Sequence, residues 1–132
     1  MKHQQSYLFF GFIFLTTLFL GCKQSNDPST SHALARIDIE SDFQNDSIKV
    51  EFDSQSLFVG RVTTNYTVSE AWTSGRLDVV EGNHTIKLTV YTDSTTNQIS
   101  TKIQDTVVVA VRYDRHTKQI DFQMYHYWLM RD

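Results

Sequence analysis

From Leu34 onward, runs of the chain alternate apolar and polar residues with a period of two. Ala35, Ile37 and Ile39 alternate with Arg36, Asp38 and Glu40. Ile48, Val50 and Phe52 alternate with Lys49, Glu51 and Asp53, and Ile86, Leu88 and Val90 with Thr85, Lys87 and Thr89. Near the end, Ile120, Phe122 and Met124 alternate with Asp121, Gln123 and Tyr125. A period of two places one set of side chains on each face of a strand, so each of these runs buries one face and wets the other. No stretch after Leu34 has the i, i+3, i+4, i+7 apolar spacing of an amphipathic helix. Sheets with one wet face are antiparallel and pack in pairs.

Other segments complete the pattern. Leu57 to Val62 is a further apolar segment, Tyr66, Val68 and Trp72 form a weaker one, and Leu77 and Val79 follow Gly75. Ile99, Thr101 and Ile103 keep one parity. Thr106 to Val111 is apolar on both parities, which predicts a central strand or one covered on both faces. Turn residues separate the runs at Gln44-Asn45-Asp46, Asp53-Ser54-Gln55, Ser74-Gly75, Glu81-Gly82-Asn83, Asp93 to Asn97 and Asp114 to Thr117. Roughly seven to eight short strands in one domain is the count of an immunoglobulin-like sandwich, with a small closed barrel as the competing architecture. The expected fold is therefore all-β, an antiparallel Ig-like β-sandwich over residues 34–132.

The stretch Glu81-Gly82-Asn83-His84-Thr85-Ile86-Lys87-Leu88-Thr89-Val90-Tyr91-Thr92-Asp93 sharpens this reading. It resembles the Gly-x-His/Tyr segment of bacterial Ig-like and PKD-like domains. The resemblance implies that Gly82 turns the corner between sheets and that the ring of His84 tucks against the corner backbone. With a single Cys, the chain lacks the Cys…Trp…Cys pattern of antibody-type domains.

The N-terminus reads as an address. Lys2 precedes an uncharged run from Tyr7 to Gly21, rich in Phe and Leu. The run is shorter than the ~20 apolar residues that cross a bilayer, and suits a signal-peptide core. It ends in Leu18-Phe19-Leu20-Gly21-Cys22, which resembles the lipobox of bacterial lipoproteins, with Phe19 where Leu is most usual. The resemblance implies cleavage after Gly21, removal of residues 1–21 and acylation of the Cys22 thiol. Acyl chains contribute ~0.8 kcal/mol per buried CH₂, so two or three anchor a protein stably. Lys23 follows, and no Asp stands there, which implies export to the outer membrane of a two-membrane bacterium. Residues 22–33 then form the lipidated Cys and a polar tether that includes Pro28 and His32.

Composition narrows the function classes. Lys plus Arg is 12 and Asp plus Glu is 15, a formal charge of -3, which gives no electrostatic case for nucleic acid. The lone Cys excludes an intramolecular disulfide and a Cys-based zinc cluster. His32, His84, His116 and His126 stand at no metal-ligand spacing, and no Asp-x-Asp-x-Asp-Gly loop occurs. Nor is there a Gly-x-Ser-x-Gly elbow, a Walker loop or a dinucleotide glycine pattern. The expectation is a non-enzyme with no cofactor, metal or catalytic residue.

The most unusual chemistry is Met124-Tyr125-His126-Tyr127-Trp128-Leu129-Met130. Tyr, Trp and Met are enriched at the cores of interfaces, so Tyr125, Tyr127 and Trp128 are candidate partner-binding residues. The functional expectation is a lipid-anchored, non-catalytic binding or accessory module for an envelope protein or glycan. The alternative is an inhibitor of an envelope-degrading hydrolase acting through a loop at Thr73 to Arg76. There Ser74-Gly75-Arg76 is similar to the Ser-Gly loop of envelope lysozyme inhibitors.

Overall fold

The computed structural model describes residues 30–126. Cys22, Tyr127 and Trp128, with the signal segment and most of the tether, lie outside these residues. The strands are β1 (His32–Glu40), β2 (Asp46–Phe52), β3 (Gln55–Val62), β4 (Glu70–Thr73), β5 (Leu77–Val80), β6 (Gly82–Val90), β7 (Thr95–Ile103), β8 (Val107–Asp114) and β9 (Gln119–His126). The described residues contain no helix.

Two sheets pack face to face. One runs β4-β1-β8-β9, with β5 also on β1, and the other runs β3-β2-β6-β7. β4 takes the Asp38–Glu40 half of β1 and β5 the His32–Ala35 half, so β4 and β5 share one lane. Among the described residues the all-β sandwich thus has nine strands in eight lanes. β1 starts two residues before Leu34. Ala33 is already buried, and His32 pairs with Val80 instead of lying in the tether.

Alternation decides which residues meet between the sheets. Ala35, Ile37 and Ile39 of β1 face inward with Val107, Val109 and Val111 of β8, and meet Ile48, Val50, Ile86, Leu88 and Val90 of the other sheet. Burying each such side chain contributes ~1.5–3 kcal/mol. Every ladder but one is antiparallel; β1 and β8 run parallel, with Ile37 beside Val109. Alternation fixes which face a residue takes but not the direction of its neighbour.

β8 lies between β1 and β9 and is buried on both faces, as its double-parity run implied. Val108 and Ala110 point away from the core yet are covered. In the register Arg36, Val108 and Tyr125 lie side by side, so the aliphatic stem of Arg36 and the ring of Tyr125 flank Val108.

The turns follow their local chemistry. Asp53 and Ser54 both have positive φ, 48° and 66°, the geometry of a two-residue type I′ hairpin between β2 and β3. Gly82 has φ +154° and opens β6 with only Glu81 between it and the end of β5, so it makes the corner between the sheets. Tyr66 and Val68, expected in a weak strand, lie in an exposed turn before β4.

Candidate binding surfaces

Tyr125 lies on the outer face of β9, half-buried. Arg112 Nη2 donates to its hydroxyl at 3.1 Å, and Arg112 Nε donates to Glu40 at 3.0 Å. The Tyr125 hydroxyl is engaged within the sheet, and the residue stands beside Val108 in the register.

Thr73 to Arg76 connects the two halves of one lane. The Ile37 amide donates to Ser74 Oγ at 2.9 Å, and the Ser74 amide donates to the Ile37 carbonyl at 2.9 Å. Ser74 thereby replaces the strand ladder where β4 hands over to β5, and Gly75, at φ +68°, supplies the backbone bend. Thr73 Oγ1 donates to Asp38 at 2.8 Å, and Arg36 also clamps that carboxylate. Asp38 is only 6% exposed, a buried acid that alternation alone assigned to the wet face.

The histidines are dispersed. His32 Nδ1 lies 2.8 Å from Asp78 at the open end of β1. His116 is exposed in the β8–β9 turn, and His126 is exposed opposite Val107. Among the described residues no three His, Cys, Asp or Glu side chains are grouped to hold a metal ion.

His84 occupies the corner. Its Nε2 lies 2.7 Å from the Val80 carbonyl and its Nδ1 lies 2.7 Å from Asp53 Oδ2. The ring stacks on Phe52 with centroids 5.0 Å apart. Both neighbours are acceptors, so the ring is fully satisfied only when both nitrogens carry protons. Burial favours the neutral ring, but the Asp53 and Val80 hydrogen bonds outweigh it and raise the pKa above the usual histidine value. Both ring nitrogens thus face protein acceptors at hydrogen-bonding distance.

The two long sides of the sandwich are closed unequally. On the β7–β9 side, Asn97 Nδ2 donates to the Ile120 carbonyl at 2.7 Å and Thr101 Oγ1 donates to Met124 Sδ at 2.9 Å. On the other side, among the described residues, no hydrogen bond joins β3 to β4 or β5. Phe58 and Trp72 meet there, with centroids 5.2 Å apart. Beside them the layers part to leave a cleft of about 540 Å³ between β3 and β5. Phe52, Leu57, Leu77 and Val79 form its apolar walls; Asp53, Gln55, Arg76, Asp78 and His84 form its rim. That size and an apolar lining with a few polar groups are typical of ligand sites.

Sequence reasoning assigned these apolar residues to the core, which is where their inner faces point. Their second role follows from β3 and β5 being sheet edges, which depends on strand order. No known protein-family model matches this chain, and no curated protein is detectably similar to it.

Proposed function

We propose that this protein is a lipid-anchored, non-catalytic binding module of a bacterial cell envelope, held in the outer membrane by acylated Cys22. Its sandwich presents the β3–β5 side to an envelope protein or glycan. The observation that carries the reading is the unequal closure of the sandwich. One side is stitched by cross-sheet hydrogen bonds, and the other leaves an apolar-walled cleft between two free strand edges. Edge strands that are neither covered nor paired are templates for contact with another chain. The resemblance of Leu18 to Cys22 to a lipobox supports the anchor. The commitment of both His84 nitrogens supports binding over catalysis at this cleft.

Two measurements test the proposal. Metabolic labelling with an alkyne fatty acid is expected to mark the wild-type chain and leave Cys22→Ser unlabelled; equal labelling refutes the anchor. Leu57→Glu places a charge in the cleft wall. It is expected to abolish co-purification of one defined envelope component while the thermal unfolding transition persists. Retention of that component by a folded Leu57→Glu chain refutes the binding surface.

A further inference from the structure

Five arginines lie among the described residues, and three of them are paired with carboxylates: Arg36 with Asp38, Arg112 with Glu40 and Arg115 with Asp46. Arg61 and Arg76 make no hydrogen bond or ion pair with another described residue. Arg76 lines two hollows. It follows the Gly75 bend and stands on the ridge between the β3–β5 cleft and a smaller hollow of about 220 Å³ on the outer face of the other sheet.

The two hollows differ in charge. The side cleft has Asp53 and Asp78 on its rim, which oppose an anion. The outer hollow is lined by Arg36, Arg76 and Thr106, with Leu34, Val107 and Val108 as its apolar part, and no carboxylate lines it. A guanidinium without a partner next to apolar surface has its strongest complement in a carboxylate, which accepts two parallel N–H bonds. The volume suits one small apolar side chain and its acid group, and no larger ligand.

We propose that this outer hollow is a binding site for a carboxylate on a short apolar stem, such as the C-terminal residue of a peptide ending in an aliphatic side chain. Arg76 receives the carboxylate, and Arg36, held by Asp38, lines the hollow beside it. The stem lies against Leu34 and Val108. The site is distinct from the β3–β5 cleft and does not depend on what that cleft binds.

The test is a methyl NMR titration of the full-length chain in neutral detergent, labelled at Leu and Val methyls. N-acetyl-leucine is the probe; its uncharged amide and inorganic phosphate are the comparisons. Saturable shifts of the Leu34 and Val108 methyls with N-acetyl-leucine are expected, and the amide is expected to bind at least about tenfold more weakly, one decade in Kd. Arg76→Gln is expected to weaken the probe by a similar factor, and Arg61→Gln to leave it unchanged. Arg76 is exposed and makes no ion pair or hydrogen bond with another described residue, so its replacement leaves the fold intact, which the unchanged spectrum elsewhere verifies. Absence of saturable shifts, equal binding of the amide, or an Arg76→Gln chain that binds as wild type would each overturn the site. Phosphate producing the same methyl shifts at the same concentration would overturn the role of the apolar stem.

Discussion

Replacing His84 by Phe separates what the ring does by packing from what it does by proton-mediated bonding. The variant keeps an aromatic ring on Phe52 and deletes the bonds to Val80 and Asp53. The His84 side chain is 11% exposed, so its bond to the Val80 carbonyl is made largely out of water. Hydrogen bonds involving a charged group contribute ~1.5–3 kcal/mol. Asp53 is 44% exposed, so its share is screened towards the ~0.2–1 kcal/mol of an exposed pair. The sum for His84→Phe is a loss of about 2–4 kcal/mol near pH 5.5, which for a domain of this size lowers Tm by roughly 10–30 °C.

The sign of the pH dependence follows from the raised pKa. The folded state holds its proton more tightly than the unfolded state. The stability from the charged ring is fully present below the unfolded histidine pKa, about 6.5, and fades as pH rises through the folded value. Urea unfolding of the full chain and the variant, followed by circular dichroism at pH 5.5 and pH 8.5, is the assay. The gap between the two proteins is expected to be widest at pH 5.5 and to narrow at pH 8.5. An equal gap at both pH values, or one below ~0.5 kcal/mol at pH 5.5, the range of an ordinary surface change, would refute the reasoning.

Other perturbations have equally definite outcomes. Asp46 is 1% exposed and ion-paired with Arg115, so Arg115→Met strands a buried carboxylate and is expected to cost about 2–4 kcal/mol in urea unfolding, recovered in part by adding Asp46→Asn. Ile37→Ala opens a cavity in the centre of the core and is expected to cost about 2–5 kcal/mol, read as a fall in the urea midpoint at unchanged slope. The Tyr113 hydroxyl donates to Asp93 and, with Lys118, holds that carboxyl below the usual aspartate range despite partial desolvation. This contribution is present above the unfolded aspartate pKa and is lost as pH falls through the folded value. Tyr113→Phe is therefore expected to flatten the acid limb of the stability profile.

The faces of this fold were legible in the sequence because alternation states them directly. Val107 to Val111 announced a strand covered on both sides, and Asp53-Ser54 sat where a tight hairpin was needed. His84 was placed at the corner by its neighbour Gly82, and its ring is bonded there to Val80. Strand order and direction were not legible. Nothing in Ile37 or Val109 says that their strands run parallel, because they are joined by the whole length of the domain between them. Asp38 reads as a surface acid by parity; its burial depends on Arg36 and on Thr73, a partner thirty-five residues away. For the same reason Leu57 and Leu77 read as core residues and not as walls of a cleft. Tyr125 stands out in the sequence by its type; its place beside Val108 and its bond to Arg112 depend on strand order.

The unequal closure of the sandwich is tested most directly by a photo-crosslinking residue carried in the living cell at either side. Placed at Gln55, on the rim of the β3–β5 cleft, it is predicted to give a discrete adduct with one envelope component. Placed at Gln98, on the stitched β7 edge, it is predicted to give none. Adducts of equal yield from both positions, or an adduct from Gln98 alone, would contradict the account.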